Sequence, residues 1–360
     1  MLADMKKSKK ETKTQRLYSQ TIRRKLIFVF FLLVLLGVIA VVAVNVGSVP
    51  LGAENILFSI CNRIFFTSFP CRELTSTIVW ELRLPRIFMA IVVGAGLAMG
   101  GSALQGILKN PLASPYTLGI ASAAGFGASL AIIAGFGLLG QQNLWIVANA
   151  FIFALFSSSV VLGLARVRKA TPESLILAGV AMMFLFSAMT SLLQYMGTEE
   201  QVTAVVFWLL GNLSKATWLR VGIVSVIVLG VFPLFMRYAW DFNALTIGDE
   251  TAESLGVNAV KIRLVGLALA SLVTASAICF VGTIGFIGLV SPHISRMIIG
   301  GDHRFLFPTS CLIGAILLLA ADTAARTILS PLILPVGILT SFLGVPLFLY
   351  LIIRRRKEYW

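Results

Sequence analysis

"IFMAIVVGAGLAMGGSALQGILKNPLASPYTLGI", Ile87 to Ile120, sets the terms on which this chain can fold. No charged side chain occurs from Ile87 to Ile107, and about 20 apolar residues are what a helix needs to cross a bilayer. Between Gly94 and Gly106 the run is dense in Gly, Ala and Ser, which let helix backbones approach closely in lipid. A flexible gating helix would use the same composition. The run then breaks at "KNPLASP", where proline cannot continue a helix without disruption. A second proline break is expected at "LVSPH", Leu289 to His293. Non-helical backbone at membrane depth must be buried in protein or line a cavity.

Apolar runs of similar length lie at 26–47, 87–107, 117–138, 144–165, 174–196, 217–236, 262–282, 284–299, 306–328 and 333–353, giving ten expected spans. "VTAVVFWLLG", Val202 to Gly211, is too short to span and reads as an interfacial or re-entrant helix. The composition agrees: 58% of residues are hydrophobic and only 12% charged, with a mean hydropathy of +0.95. Soluble domains carry roughly 25% charge. The expected fold is an all-α polytopic membrane protein, with residues 26–360 forming one transmembrane domain after a basic segment, 1–25. The net charge of +14 includes nine Lys and Arg in that segment, which has a topogenic rather than a nucleic-acid role. The run at 26–47 is longer than a signal-peptide core and lacks a small-residue cleavage site, so it reads as a retained span.

Charge counting orients the chain. With both termini in the cytoplasm, 22 of the 29 Lys and Arg fall inside, and only Arg63, Arg72, Arg83, Arg86, Lys215, Arg220 and Arg326 fall outside. The positive-inside rule favours this multi-pass arrangement. It places Cys61 and Cys71 outside, where their shared loop permits a disulfide. Cys279 and Cys311 lie in apolar runs and read as small hydrophobes. A faint repeat relates Arg86 and "LASP" (Leu112 to Pro115) to Arg263 and "LVSP" (Leu289 to Pro292). Because the second and seventh spans run in opposite directions, the two five-helix halves would be inverted, as is common in transporters.

Enzyme signals are nearly absent. There is no P-loop, no H-E-x-x-H and no Cys/His set with metal spacing, so no metal or cofactor is expected on this chain. Any ATP-driven step needs another subunit to hold ATP and Mg. Both histidines, His293 and His303, lie in "GFIGLVSPHISRMIIGGDHR" without acids or cysteines at ligand spacing. The one acid well inside an expected span is Asp322, with Arg326 four residues on and able to pair with it. A proton-coupled secondary carrier would use such an acid, but a relay usually needs more than one. The longest polar interval, Trp240 to Arg263, carries Asp249 and Glu250 where a helix start favours negative charge and Gly256 where one would stop. The helix between them, of about two turns, needs a partner to be stable. As a solvated loop or as a docking element for a cytoplasmic protein, the segment reads equally well.

"WELRLPR", the Gly94–Gly127 stretch, "LILAGV", "LTIGDETAESLGV", "GFIGLVSPHISR", "GDHR" and "PVGILTSFLGVPLFLYLI", in this order, resemble the FecCD-type permeases, the membrane subunits of ABC importers for ferric siderophores, haem and cobalamin. The resemblance covers nearly everything after the basic segment. It implies a ten-helix permease in the cell membrane, paired with an identical or paralogous permease subunit. Two cytoplasmic ATP-binding subunits would drive it, and an extracytoplasmic binding protein would deliver the substrate. It implies that 241–261 is the coupling-helix region, with Leu245, Gly248, Asp249, Glu250, Ala252, Leu255 and Gly256 transmitting ATPase closure. Arg83, Arg86 and Arg326 would be exposed docking positions for the binding protein, with Asp322 holding Arg326 in place. Asn110, Leu112 and Thr171 would form the cytoplasmic gate, and His293 and His303 would be part of the hinge. "TPES", Thr171 to Ser174, departs from the Ser/Thr-rich pattern of cobalamin permeases at Pro172 and Glu173. The expected cargo is therefore an iron chelate, with cobalamin as the alternative.

Overall fold

The computed structural model describes residues 13–353 apart from 48, 50, 68, 136–141 and 168–170. Residues 1–12, Arg168, Lys169 and the Arg354–Lys357 cluster, all used in the charge count, lie outside the described residues. The described chain is helical, in the order α1 (Lys13–Asn45), α2 (Ala53–Ile64), α3 (Glu73–Thr77), a π-helical turn (Ile78–Arg83), α4 (Leu84–Leu108), α5 (Ile120–Ile133), α6 (Gln142–Val167) and α7 (Pro172–Met196). There follow α8 (Glu199–Leu209), α9 (Trp218–Arg237), α10 (Ala239–Ile247), α11 (Asp249–Ser254), α12 (Ala259–Val281), α13 (Ile287–Ile299), α14 (His303–Ala325) and α15 (Val336–Ile353). Each of the expected runs falls on a helix. Among the described residues, seven helices are long and apolar enough to cross a membrane, and three shorter ones, within α5, α13 and α15, are apolar.

Lipid offers no hydrophobic gain for helix association, so the bundle depends on close packing. α4 is its centre and touches α9, α12, α13 and α14. The glycines of the opening stretch set the spacing. A Cβ at Gly94 would collide with the Gly314 carbonyl oxygen of α14, and one at Gly314 would collide with the Gly94 carbonyl. A Cβ at Gly101 would overlap the Gly288 carbonyl of α13. The close-packing reading of this run therefore holds, with backbone set directly against backbone.

α5 is shorter than the expected 117–138 because left-handed glycines stop it at both ends, Gly119 at φ 73° and Gly135 at φ 64°. The break expected at "LVSPH" lies earlier. Pro292 sits inside α13, and the chain turns instead over Gly282 to Phe286, whose φ values are 75° and 67°. "LASP" lies in the connection after α4 and "LVSP" inside α13, so these two motifs are not equivalent locally. The irregular backbone is stitched to its neighbours. Asn212 N–H donates to the Val281 carbonyl at 2.7 Å, Val336 N–H to Gly211 at 3.1 Å and Gly337 N–H to Leu210 at 3.1 Å. This meets the requirement that backbone polar groups be satisfied at membrane depth. "VTAVVFWLLG" lies largely within α8, a separate helix opened by a Thr198–Gln201 capping box.

α1 runs parallel to α14. At one end Lys25 Nζ lies 5.1 Å above the Phe305 ring, and at the other Arg326 donates to the Ala43 carbonyl at 3.3 Å. Gly101→Val should destabilise the bundle by more than the roughly 1–3 kcal/mol of ordinary overpacking, because the obstructing atoms are backbone. Gly163→Ala, whose Cβ meets nothing within 4 Å, is the neutral control. Thermal unfolding in detergent reads both.

Candidate coupling and translocation site

α10 and α11 join the ends of α9 and α12 and lie across one end of the bundle. The short helix expected between Asp249 and Gly256 is α11, with its stop at Gly256 as read from the sequence; α10, a further helix in the same interval, precedes it and is divided from it at Gly248. Gly256 adopts φ 80°, its N–H donates to Glu253 at 2.9 Å, and Val257 N–H reaches back to Ala252 at 2.9 Å. This is the Schellman arrangement that left-handed glycine permits. Leu245 and Ala252 are buried against the bundle, while Ile247 and Leu255 are 70% and 65% exposed. Glu250 and Gly256 are also exposed. The segment therefore has an anchored face and an unpartnered apolar face.

Asp249 is the anchor. One carboxylate oxygen accepts from Arg263 Nη2 at 2.7 Å and from Lys109 Nζ at 2.9 Å. Arg263 Nε also donates to the Ile107 carbonyl at 3.2 Å. The start of α11, the start of α12 and the C-terminus of α4 thus meet at a single carboxylate. Lys109 is left-handed, at φ 48°. The next residue, Asn110, accepts through Oδ1 from the Leu112 N–H at 2.9 Å and holds a tight turn with Leu112 exposed. Of the three expected gate residues, Asn110 and Leu112 are therefore brought to the coupling segment. Thr171 caps α7 by accepting from Ser174 N–H, and no hydrogen bond links it to the Asn110 turn among the described residues.

His303 is buried beneath α10. Asn243 Oδ1 accepts from the His303 backbone N–H at 2.8 Å and lies 2.9 Å from its Nδ1. Asn243 Nδ2 donates to Asp302 at 2.9 Å, and Phe242 and Phe307 pack on the imidazole. The histidine is architectural here, as expected. Among the described residues no group of three or more His, Cys, Asp or Glu could hold a metal. Lys109, Arg263, Asn243 and Asp302 are functional neighbours that sequence reasoning missed. Their signal was available for Arg263, a cation opening an apolar run that needs a buried counter-charge.

At the far end the expectation of exposed docking arginines is overturned. Arg83, Arg86 and Arg326 are each only 5–7% exposed. Arg86 grips Asp322 with two nitrogens, Nε at 2.9 Å and Nη2 at 2.8 Å, and donates through Nη1 to Ser214 at 2.8 Å. Arg326 Nε lies 3.2 Å from Asp322, so the expected i,i+4 pair exists, but Arg86 is the stronger partner. Arg83 donates to the carbonyls of Val44, Asn45 and Val49. Arg83 and Arg326 therefore close the end of α1 onto the start of α4 and the end of α14, while Arg86 ties α4 to α14 through Asp322. Cys61 and Cys71 are free thiols, so the expected disulfide is not formed; Cys71 Sγ instead lies 3.5 Å from the Asn55 carbonyl.

A cavity of about 850 Å³ opens between α8, the 282–286 break and α15, lined mainly by apolar groups including Leu209, Phe286 and Phe342. A second space of about 310 Å³ adjoins it through Tyr116, Leu209 and Thr283 and is walled by Ser122, Ser187, Thr190, Ser191 and Gln194. Among the described residues no charged side chain lines either. Together they offer an apolar surface beside a hydroxyl-bearing one.

Two outcomes follow from the ion pairs. Asp322→Asn strands two buried arginines and should cost about 3–5 kcal/mol of stability in denaturant unfolding. The Arg263 and Lys109 hydrogen bonds hold the Asp249 carboxyl below its ordinary range despite partial burial. A depressed folded-state value contributes stability above the ordinary Asp value of about 3.9, lost as pH falls through the folded value. Amide exchange over 249–256 should therefore accelerate in strong acid, and Asp249→Asn should remove that pH dependence.

A sequence model of the FecCD transport family matches residues 31–354. An ABC transporter permease of Methanocaldococcus jannaschii is 45% identical over 349 residues, covering 95% of this chain and 98% of the relative. The hemin transport system permease of Yersinia pestis is 38% identical over 330 residues, covering 91% and 96%. Among solved structures, an inward-facing metal-chelate-type ABC transporter superposes with a TM-score of 0.79 at 32% identity, covering 91% of this chain and 99% of that one. With the buried helical bundle and the anchored segment between α9 and α12, these likenesses place the chain in the FecCD transport family, as a multi-pass permease of the ABC importer class.

Proposed function

We propose that this chain is one of two permease subunits that carry an iron chelate, a siderophore or haem, across the cell membrane. Two cytoplasmic ATP-binding subunits would dock on α10–α11, and an extracytoplasmic binding protein would load the opposite end. The ten apolar helices would all span, in two inverted halves, with both termini and α10–α11 in the cytoplasm. The positive-inside count supports that orientation, since Lys109, Arg237, Lys261, Arg263, Arg296 and Arg304 gather at the α10–α11 end.

The observation that carries this reading is the Asp249 junction. A push on the exposed Ile247–Leu255 face reaches Lys109 and Arg263 through one carboxylate, and Lys109 begins the Asn110–Leu112 turn. Closure of the ATP-binding subunits would thereby move the ends of α4 and α12 together. Asn110 and Leu112 serve as the moving gate, with Thr171 fixing the start of α7 opposite them. Arg83 and Arg326 act by setting the outer end of α1, and Arg86 by fixing α4 to α14, rather than by touching the binding protein directly. The cargo route is the paired cavity, whose uncharged apolar and hydroxyl-bearing walls suit a bulky chelate with its charge internally neutralised. Asp322, held by both Arg86 and Arg326, fits a structural ion pair.

Proteoliposomes holding this chain with its ATP-binding subunit, supplied with the loaded binding protein, should take up haem or a ferric siderophore only with ATP, and a protonophore should leave uptake unchanged. Uptake that needs no ATP and follows the pH gradient would contradict the proposal. Leu255→Asp should abolish co-purification of the ATP-binding subunit without altering the melting temperature of the isolated permease.

A further inference from the structure

A third cavity, of about 320 Å³, lies at the end of the bundle remote from α10–α11. It is formed where α5 and α12 end and where α6 and α9 begin, whereas α10–α11 join the opposite ends of α9 and α12. The 20 residues of α9 separate the two levels by about 30 Å. The cavity shares no lining residue with the cargo cavities; α8 stands between, presenting Phe207 and Trp208 to it and Leu209 to them.

Its chemistry is divided. Ile132, Cys279 and Val281 are buried and form an apolar floor. Lys215 is exposed and Arg220 half-buried, and among the described residues no acidic side chain lines the space. Arg220 Nη1 donates to the Lys215 carbonyl at 2.9 Å, which holds the two cations on one turn. Trp218, two residues before Arg220, donates its indole N–H to the Trp80 carbonyl at 2.8 Å; paired tryptophans mark the headgroup level of a bilayer. Two cations at headgroup depth above an apolar cleft between helices match an anionic amphiphile: phosphate at the charges, acyl chain on the floor. Free phosphate would satisfy the cations and leave the floor unused, and a neutral lipid would do the reverse.

We propose that this cavity binds an anionic phospholipid from the leaflet remote from the coupling helices, with its phosphate between Lys215 and Arg220 and an acyl chain against Ile132 and Val281. A lipid so placed rests on the back of α8 and on the Gly282 turn, whose front faces line the cargo cavity. Its occupancy would bias the position of that wall.

The test uses the full chain in nanodiscs of phosphatidylcholine with a minor fraction of phosphatidylglycerol, followed by native mass spectrometry of the lipids that stay bound. Wild type should retain phosphatidylglycerol in preference to phosphatidylcholine, and Lys215→Gln should lower that preference about fivefold, from one charge at a membrane surface. Arg220→Lys, which keeps the charge, should retain most of the preference. Ala204→Trp, which fills the cleft and spares both cations, should also lower it, and inorganic phosphate should not displace the lipid. No preference in wild type overturns the proposal. So does an unchanged preference in Ala204→Trp, which would reduce the site to surface charge, or displacement by phosphate alone, which would make it a simple anion site.

Discussion

The structure depends on one close contact, the backbone of α4 lying against the backbones of α13 and α14. Gly94 meets Gly314, and Gly101 meets Gly288, with no room for a β-carbon at any of the four. In lipid this proximity replaces the hydrophobic drive that builds soluble cores. It also decides what α4 can do. A helix packed this tightly moves as a rod, so displacement at one end is delivered to the other rather than absorbed by side chains.

Both ends of that rod are tied by a single carboxylate. Arg86, near the start of α4, is gripped by Asp322 of α14, and Lys109, just past its end, is gripped by Asp249 of α11. The two junctions differ in exposure, and that difference fits their roles. Asp322 is sealed and fixes α1, α4 and α14 together, a place where losing one partner is costly. Asp249 is partly open, at the surface where a docked partner can reach it, and it joins α11 to α12 and to the turn after α4. In the proposed coupling scheme, one end of α4 would be a fixed point and the other a handle.

Much of this was legible in the sequence. Spanning length, the glycine stripe, the capped short helix before Gly256 and the pairing of Asp322 with Arg326 all follow from local spacing. What escaped was long-range. Arg86 and Asp322 are joined across most of the chain, and no helical periodicity relates them. Charge counting grouped Arg83, Arg86 and Arg326 on one side, and they do share one end of the bundle, but it did not give their depth, because counting cannot tell a guanidinium in solvent from one bonded to buried carbonyls or a buried carboxylate. The proline of "LVSPH" misled as well: Pro292, the sixth residue of α13, is accommodated inside the helix, and the turn is made upstream between Gly282 and Phe286.

The central claim is that α11 and the turn after α4 form one moving unit joined through Asp249. Spin labels at Glu253 and Leu112, both exposed, with the permease bound to its ATP-binding subunit, test it by distance measurement through the nucleotide cycle. The account predicts a narrow Glu253–Leu112 distance that stays constant with and without ATP and broadens in Asp249→Asn. A distance that changes with ATP in the unaltered protein would mean that the coupling helix slides past α4, and would contradict it.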